Sequence, residues 1–139
     1  MKIAIARLLC LACVFCCAAQ AADLDITVTD IRVAKGTLMI AVVDTAAAWD
    51  DQAQAAAAMT RKASGAQEVF HFSNLPPGSY AVKVMHDEND NGKLDVNFMG
   101  MPIEGYGFSN NPQLLRKPTF DEAKFELGAG GGAITIHLR

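Results

Sequence analysis

The chain has 139 residues, of which 51% are hydrophobic, and its formal net charge is −3 at pH 7. This length suits one domain with a sizeable core and is short for two ordinary domains. The acidic balance argues against nucleic acid as a partner, because binding a phosphate backbone requires a basic face.

The N-terminus has the pattern of a secretory signal peptide. Two basic residues precede an apolar stretch at residues 8–19, and a small-Xaa-small cleavage site ends at Ala21. The stretch is too short to span about 30 Å of hydrocarbon as a helix, so a retained anchor is the weaker interpretation. No later segment is apolar enough to span a membrane. We therefore predict a signal peptide at residues 1–21 and a single exported domain, periplasmic or extracellular, at residues 22–139.

All four cysteines lie inside the leader, at Cys10, Cys13, Cys16 and Cys17. A lipoprotein is disfavoured, because Cys10 stands where the lipidation motif places a leucine-like residue. Cleavage would leave a small exported domain with no disulfide. Its stability must then come from its core or from a bound ion.

Two strands are predicted first in chain order. Residues 24–31 alternate apolar and polar side chains, which is typical of a half-buried strand. Residues 37–44 form a more continuously apolar run, which is typical of a strand covered on both faces. The connection between them is hairpin-sized.

Residues 46–62 are rich in alanine and predict one helix of three to four turns. Thr45 is available as its N-cap. We expect a crossover helix that packs Trp49 on a sheet edge. The alternative is an amphipathic helix that binds a partner, but its apolar stripe is mostly alanine.

Two further strands, at residues 67–72 and 79–86, flank a turn with two prolines and a glycine that cannot continue a ladder. Residues 72–82 resemble the strand-turn-strand element of prealbumin-like and Cna-B-like sandwiches. Residues 120–127 predict a strand or a short turn plus strand, and residues 133–139 predict a closing strand. We therefore expect a mostly β fold: a single antiparallel β-sandwich, prealbumin-like or Ig-like, of about seven strands with one inserted helix.

Residues 87–119 have no convincing strand or helix, and their embedded apolar side chains argue for a long ordered loop. It begins with Asp-Glu-Asn-Asp-Asn-Gly-Lys-Leu-Asp, which matches the first nine positions of a calcium loop of the EF-hand type. Alternate side chains then point at one centre, and the glycine in sixth place allows the sharp turn. The predicted ligands are Asp87, Asn89, Asn91, the backbone carbonyl of Lys93, and Asp95.

The twelfth position, where a bidentate glutamate belongs, holds Phe98, so we expect weak calcium affinity. Asp90 and Glu104 are further candidate carboxylates, and His86 is a further group placed to order the loop. The flanking strand resembles the β-flanked loops of thrombospondin type 3 and serine-aspartate repeat B domains more than an EF-hand. Two alternatives stay open: a polar hairpin loop built from Asx turns with Gly92 at positive φ, or another metal.

The rest of the loop carries a specific pattern, Gly-Met-Pro-Ile-Glu-Gly-Tyr-Gly-Phe-Ser-Asn-Asn, at residues 100–111, followed by Pro-Thr-Phe-Asp-Glu-Ala at residues 118–123. With the acidic motif at residues 86–95, these segments resemble a bacterial family of exported domains of unknown function, family 2141. The resemblance covers nearly the whole chain after the leader. It implies the sandwich fold and the exported location, and it implies no catalytic residues.

A hydrolase would require one of the histidines, His71, His86 and His137, to meet a serine and a carboxylate, and no local motif supports this. His71 and His137 alternate with large apolar residues and are expected on outer strand faces. His86 ends a strand and is expected to hold the loop through a hydrogen bond. We therefore expect no enzyme; a metal-dependent or hydrolytic activity is the remote alternative.

Tyr106, Phe108, Asn110 and Asn111 predict either a small satellite core beneath the loop or a shallow ligand surface for sugar or peptide. The function predicted from the sequence is that of an exported, non-enzymatic module of unspecified role, with calcium as its candidate cofactor. The alternative is a carbohydrate-binding or protein-binding accessory module that uses the loop aromatics.

Overall fold

The computed structural model describes residues 20–139. Within them the elements, in chain order, are β1 (Ala22–Thr29), β2 (Thr37–Val43), α1 (Ala46–Trp49), β3 (Ala57–Lys62), β4 (Glu68–Leu75), β5 (Gly78–Asp87), β6 (Tyr106–Phe108), α2 (Phe120–Ala123), β7 (Phe125–Leu127) and β8 (Gly132–His137). The predicted signal peptide lies almost wholly outside the described residues. Because β1 begins immediately after the predicted cleavage site, cleavage there would leave every strand intact.

Two sheets form the sandwich. Sheet A has the strand order β4-β1-β8, and sheet B has the order β3-β2-β5-β6, with β7 paired to β5. This arrangement confirms the predicted mostly β sandwich, with two small helices instead of one. One strand pair departs from the predicted antiparallel pattern: β8 lies parallel to β1. The chain reaches β8 by crossing from sheet B, and such a crossover allows parallel pairing where a tight hairpin does not.

The main core lies between the sheets. Along β1, Leu24, Ile26 and Val28 are fully buried, whereas the alternate residues face outward. Ile26 pairs with Phe70 on one side and with Ile134 on the other. The period-two alternation predicted for β1, β4 and β8 is therefore confirmed, since each strand buries only its inner face.

The predicted helix over residues 46–62 is wrong beyond its first turn. Thr45 does cap α1, accepting a hydrogen bond from the Ala48 amide at 3.1 Å, but the helix ends at Trp49. The following alanines form β3, which pairs with β2 and extends sheet B. Alanine's helix preference amounts to only tenths of a kcal/mol per residue, so completing the edge of a packed sheet outweighs it.

A second, smaller core covers one end of the outer face of sheet B. Trp49 is buried there with Val43, Ala81 and Ala123, and it packs on Phe108 with ring centroids 5.6 Å apart. The indole N–H of Trp49 donates to the Pro118 carbonyl oxygen at 2.8 Å. Trp49 thus lies on a sheet face, whereas we predicted a sheet edge. In residues 20–139 no helix is long and apolar enough to cross a bilayer.

Candidate functional site

The acidic loop, residues 87–95, is closed by hydrogen bonds among its own residues. Asp87 is 1% exposed, and its two carboxylate oxygens accept the backbone N–H groups of Asn91 at 3.0 Å and Gly92 at 2.6 Å. Gly92 has φ +84°, the left-handed conformation that glycine adopts without strain. The sharp turn predicted from the sixth position therefore forms.

Four of the five predicted ligand residues come together in this loop. The side-chain amides of Asn89 and Asn91 donate to Asp95 at 2.6 and 2.8 Å, and these bonds, that of Asn91 above all, hold the pKa of Asp95 below its usual range. The amide oxygens of Asn89 and Asn91 accept the backbone N–H groups of Asn91 and Lys93.

A calcium ion in the acidic loop would be held by the carboxylates of Asp87 and Asp95 and by the two asparagine amides. The amides present nitrogen to Asp95, so ion binding requires their oxygens to turn inward. Among the described residues, no group of three or more histidines, cysteines and carboxylates is placed to hold a metal. The structure brings the four side chains into one hydrogen-bonded loop, and calcium binding stays a prediction.

The two further candidate carboxylates have other partners. Glu104, 5% exposed, accepts the backbone N–H groups of Glu88 and Asp95, both at 2.9 Å, and so ties the two ends of the acidic loop together. Asp90 accepts from Lys62 at 2.7 Å and from Thr37, and both hydrogen bonds lower its pKa.

His86 is fully buried at the start of the acidic loop. Its Nε2 lies 2.8 Å from the carbonyl oxygen of Lys35, in the turn before β2. Its Nδ1 has no hydrogen-bond partner and lies 3.9 Å from Glu88 Oε1. The histidine thus links the loop to the turn that precedes β2, which is the role the sequence predicted for it.

Residues 95–103, here called the arm, form a short hairpin that the sequence did not predict. Backbone hydrogen bonds join Ile103 to Asp95 at 2.9 Å and Asn97 to Met101 at 2.8 Å. Glu104 fixes the base of the arm through the Asp95 amide. Phe98 lies at the tip of the arm and is 96% exposed. The residue in the twelfth position of the calcium motif therefore adds to the apolar surface of the arm and takes no part in the acidic loop.

An apolar groove of about 670 Å³ lies on the outer face of sheet B. Strand register places two rows of side chains across its floor: Thr60, Met39, Met85 and Tyr106 in one, and Ala58, Ala41, Lys83 and Phe108 in the other. The arm lines the groove with Gly100, Met101 and Pro102, and a second loop lines it with Leu115, Arg116 and Lys117. The groove volume falls within the range of small-molecule sites, about 300–1,000 Å³.

Two lysines lie together at the end of the groove next to α1. The Lys83 and Lys117 ammonium groups both donate to the Trp49 carbonyl oxygen, at 3.0 and 2.7 Å. Lys83 also pairs with Asp51 at 2.5 Å, which lowers the pKa of that carboxyl. The neighbouring Arg116 is bound to Glu122 by two hydrogen bonds of 2.8 Å, which lower the Glu122 pKa to about 2.

The structure separates the four residues of the predicted ligand surface. Tyr106 and Phe108 lie in the groove, half-buried, with ring centroids 5.9 Å apart in an edge-on arrangement. The Asn110 amide donates to the Lys124 carbonyl at 2.8 Å, and the Asn111 amide donates to the Thr135 carbonyl at 2.9 Å. The asparagines thus hold neighbouring backbone and leave the groove to the aromatic rings.

The sequence reasoning missed Met39, Met85, Lys83 and Lys117 as lining residues of one site. The available signal was the apolar run of β2, whose outward side chains Met39 and Ala41 are as apolar as its inward ones. We interpreted that run as a strand covered on both faces. The outer face of β2 is covered by α1 at one end, and along the rest it forms part of the groove floor.

Two histidines form exposed pairs on the outer face of sheet A. His71 Nδ1 lies 2.6 Å from Asp25, and this hydrogen bond raises the His71 pKa. His137 Nδ1 lies 2.8 Å from both Asp30 and Thr29. Within residues 20–139 no serine hydroxyl is hydrogen-bonded to a histidine, and those of Ser64, Ser79 and Ser109 donate to carboxylate or carbonyl oxygens.

Fold and site together define a small β-sandwich with one open apolar face. Residues 26–135 match the model of a family described as an uncharacterized protein conserved in bacteria, DUF2141. The chain therefore belongs to this family, which confirms the resemblance seen in its motifs. No curated protein and no solved structure matches the chain.

Proposed function

We propose that this protein is an exported, non-enzymatic binding module that holds a small apolar ligand in the groove of sheet B. The observation that carries the proposal is the groove itself, a concavity of about 670 Å³ whose floor spans four strands. Ligand sites of small molecules are concave and mostly apolar, with a few placed polar groups. The lysine pair beside Trp49 supplies such groups.

Exposed apolar side chains around the groove support the proposal. Phe98 and Leu115 are each 96% exposed, Met99 is 69% exposed and Met101 is 41% exposed. Contiguous apolar surface on a soluble domain commonly marks a binding site. Methionine side chains adapt to the shape of a partner, which suits a floor built from Met39 and Met85.

The acidic loop has a supporting role in this proposal. The loop closes on itself, and the Asp95 backbone N–H donates to the Glu104 carboxylate, which positions the arm beside the groove. Calcium bound by Asp87, Asn89, Asn91 and Asp95 would stiffen the base of the arm. Export to a compartment with millimolar calcium would suit a weak site of this kind.

Binding of a neutral fluorescent dye, N-phenyl-1-naphthylamine, tests the proposed function. The variant Ala58→Phe places a ring on the groove floor, and Ala133→Phe places the same ring on the exposed outer face of sheet A. We expect the wild type and Ala133→Phe to bind the dye alike, and Ala58→Phe to lose at least tenfold in affinity. A wild type that fails to bind, or equal affinity in both variants, would refute the groove as the binding site.

A further inference from the structure

We infer that the groove takes an amphiphilic anion: a single aliphatic chain that lies over Met39 and Met85 and ends in a carboxylate at Lys83 and Lys117. This inference rests on the proposed function and names the class of ligand. Its basis is the distribution of charge along the groove, which is basic at the end next to α1 and apolar from there to the arm.

At the basic end each lysine has one carboxylate partner at the surface: Asp51 lies 2.5 Å from Lys83 Nζ, and Asp50 lies 3.4 Å from Lys117 Nζ. Lys83 and Lys117 direct two ammonium groups at one carbonyl oxygen, that of Trp49, so the two cations are close neighbours. The side chains of Asp51 and Asp50 are 80% and 60% exposed, and carboxylates so exposed to solvent bind a lysine only weakly. A ligand carboxylate can therefore replace Asp51 at Lys83 and Asp50 at Lys117 at the same time.

The middle of the groove suits an aliphatic chain. Along β5 the next outward residue after Lys83 is Met85, about 7 Å further on at the rise of a β-strand. Met85 is paired with Met39 on one side and with Tyr106 on the other. A chain that starts at the lysine pair and follows β5 would contact these apolar side chains in turn.

The lining of the groove sets the direction of the ligand. The cations that line it, Lys83, Arg116 and Lys117, lie at the end next to α1, whereas the arm contributes Gly100, Met101 and Pro102. An anionic head group therefore finds opposite charge in the groove lining at the α1 end and none at the arm. The carboxylate is therefore assigned to the lysine end and the chain terminus to the arm.

The experiment compares three probes that share a twelve-carbon chain and differ in head group: dodecanoate, dodecanol and dodecyltrimethylammonium. Each is titrated at pH 7.5 below its critical micelle concentration, with calorimetry and with the emission of Trp49, the single tryptophan of the chain. Its ring centroid lies 5.3 Å from Lys117 Nζ, so a carboxylate at the lysine pair alters its surroundings. We expect dodecanoate to bind at least tenfold more tightly than the other two.

The variants separate head-group recognition from chain binding. Lys117→Gln and Lys83→Gln should each weaken dodecanoate several-fold and leave dodecanol unchanged, whereas Lys124→Gln, an exposed lysine paired with Asp121, should change neither. Lys83→Gln removes a contact to the end of α1 and could fail to fold. In that case Lys117→Gln alone provides the test of head-group recognition. Ala58→Phe should weaken all three probes.

Equal binding of dodecanoate and dodecanol would overturn the inference and leave the proposed function standing. Tighter binding of the cationic probe would also overturn it. If none of the three probes nor the neutral dye binds, the proposed function fails with it. Loss of the dodecanoate preference in Lys117→Gln, with dodecanol affinity retained, is the result that supports the assignment.

Discussion

The two sheets of this sandwich present opposite kinds of outer face. On sheet A the outward side chains are largely polar, as with Asp25 and His71, and they pair with one another. On sheet B the outward side chains are largely apolar, as with Met39 and Met85. Both inner faces are apolar because they share one core, so the inner faces alone reveal little about function. The difference shows that sheet B has an apolar outer face that α1 and the arm shield from solvent only in part, and the unshielded part is the groove.

The largest expected effect comes from the cover that α1 supplies. Trp49 is 1% exposed and packs against sheet B. Trp49→Ala should therefore lower the free energy of unfolding by about 3–5 kcal/mol. Val69→Ala changes an outward residue of sheet A that is 49% exposed, and should cost less than about 0.5 kcal/mol. Urea unfolding measures both. Similar losses in the two variants would mean that the outer faces do not differ as described.

The anchor of the arm should give the next largest effect. Glu104→Ala leaves the half-buried amides of Glu88 and Asp95 without their charged acceptor, at a cost of about 2 kcal/mol. Hydrogen exchange should speed up within residues 95–103 before it does so in β1. Glu126→Ala, which removes an exposed carboxylate that accepts from Ser79, is the control. Unchanged exchange in the arm of Glu104→Ala would show that something else holds it.

The polar face of sheet A should show a modest pH dependence. Asp25 raises the pKa of His71 above its ordinary 6.5, so the stability from this pair is fully present below pH 6.5 and is lost as pH rises through the folded-state pKa. The melting temperature of the wild type should therefore exceed that of His71→Gln at pH 5.5, and the gap should close by pH 9. A gap that is constant over this range would contradict the assignment.

The smallest expected effect is that of calcium on the acidic loop. Calcium at a concentration equal to its dissociation constant stabilises a protein by about 0.4 kcal/mol, so we expect a rise in melting temperature of about 1–3 °C in millimolar calcium. Asp95→Asn, which removes one of the two converging carboxylates, should abolish the rise. No shift in the wild type against a chelator would leave the loop as a polar hairpin closed by its own hydrogen bonds.

Local patterns predicted most of the strands, and their limits are visible at the alanine-rich segment. The alternation in β1 and the Asx spacing of the acidic loop depend on residues close in sequence, and both were recognised. Residues 57–62 were predicted as helix because alanine favours helix locally, and they became β3 because β2 offered a free edge. The arm was missed for a different reason: its residues show no strand alternation, and its base is held by the Glu104 carboxylate on the Asp95 amide.

The sequence by itself determined the sandwich and the turn at Gly92, because each follows from side-chain period or from local turn chemistry, and its motifs carried the resemblance to the family. It also predicted export, from a leader outside the described residues. Only the tertiary structure placed Met39, Met85, Lys83 and Lys117 in one groove. Strand pairing decides which side chains are neighbours, and these four residues come from three segments far apart in the chain, so no local pattern could have joined them.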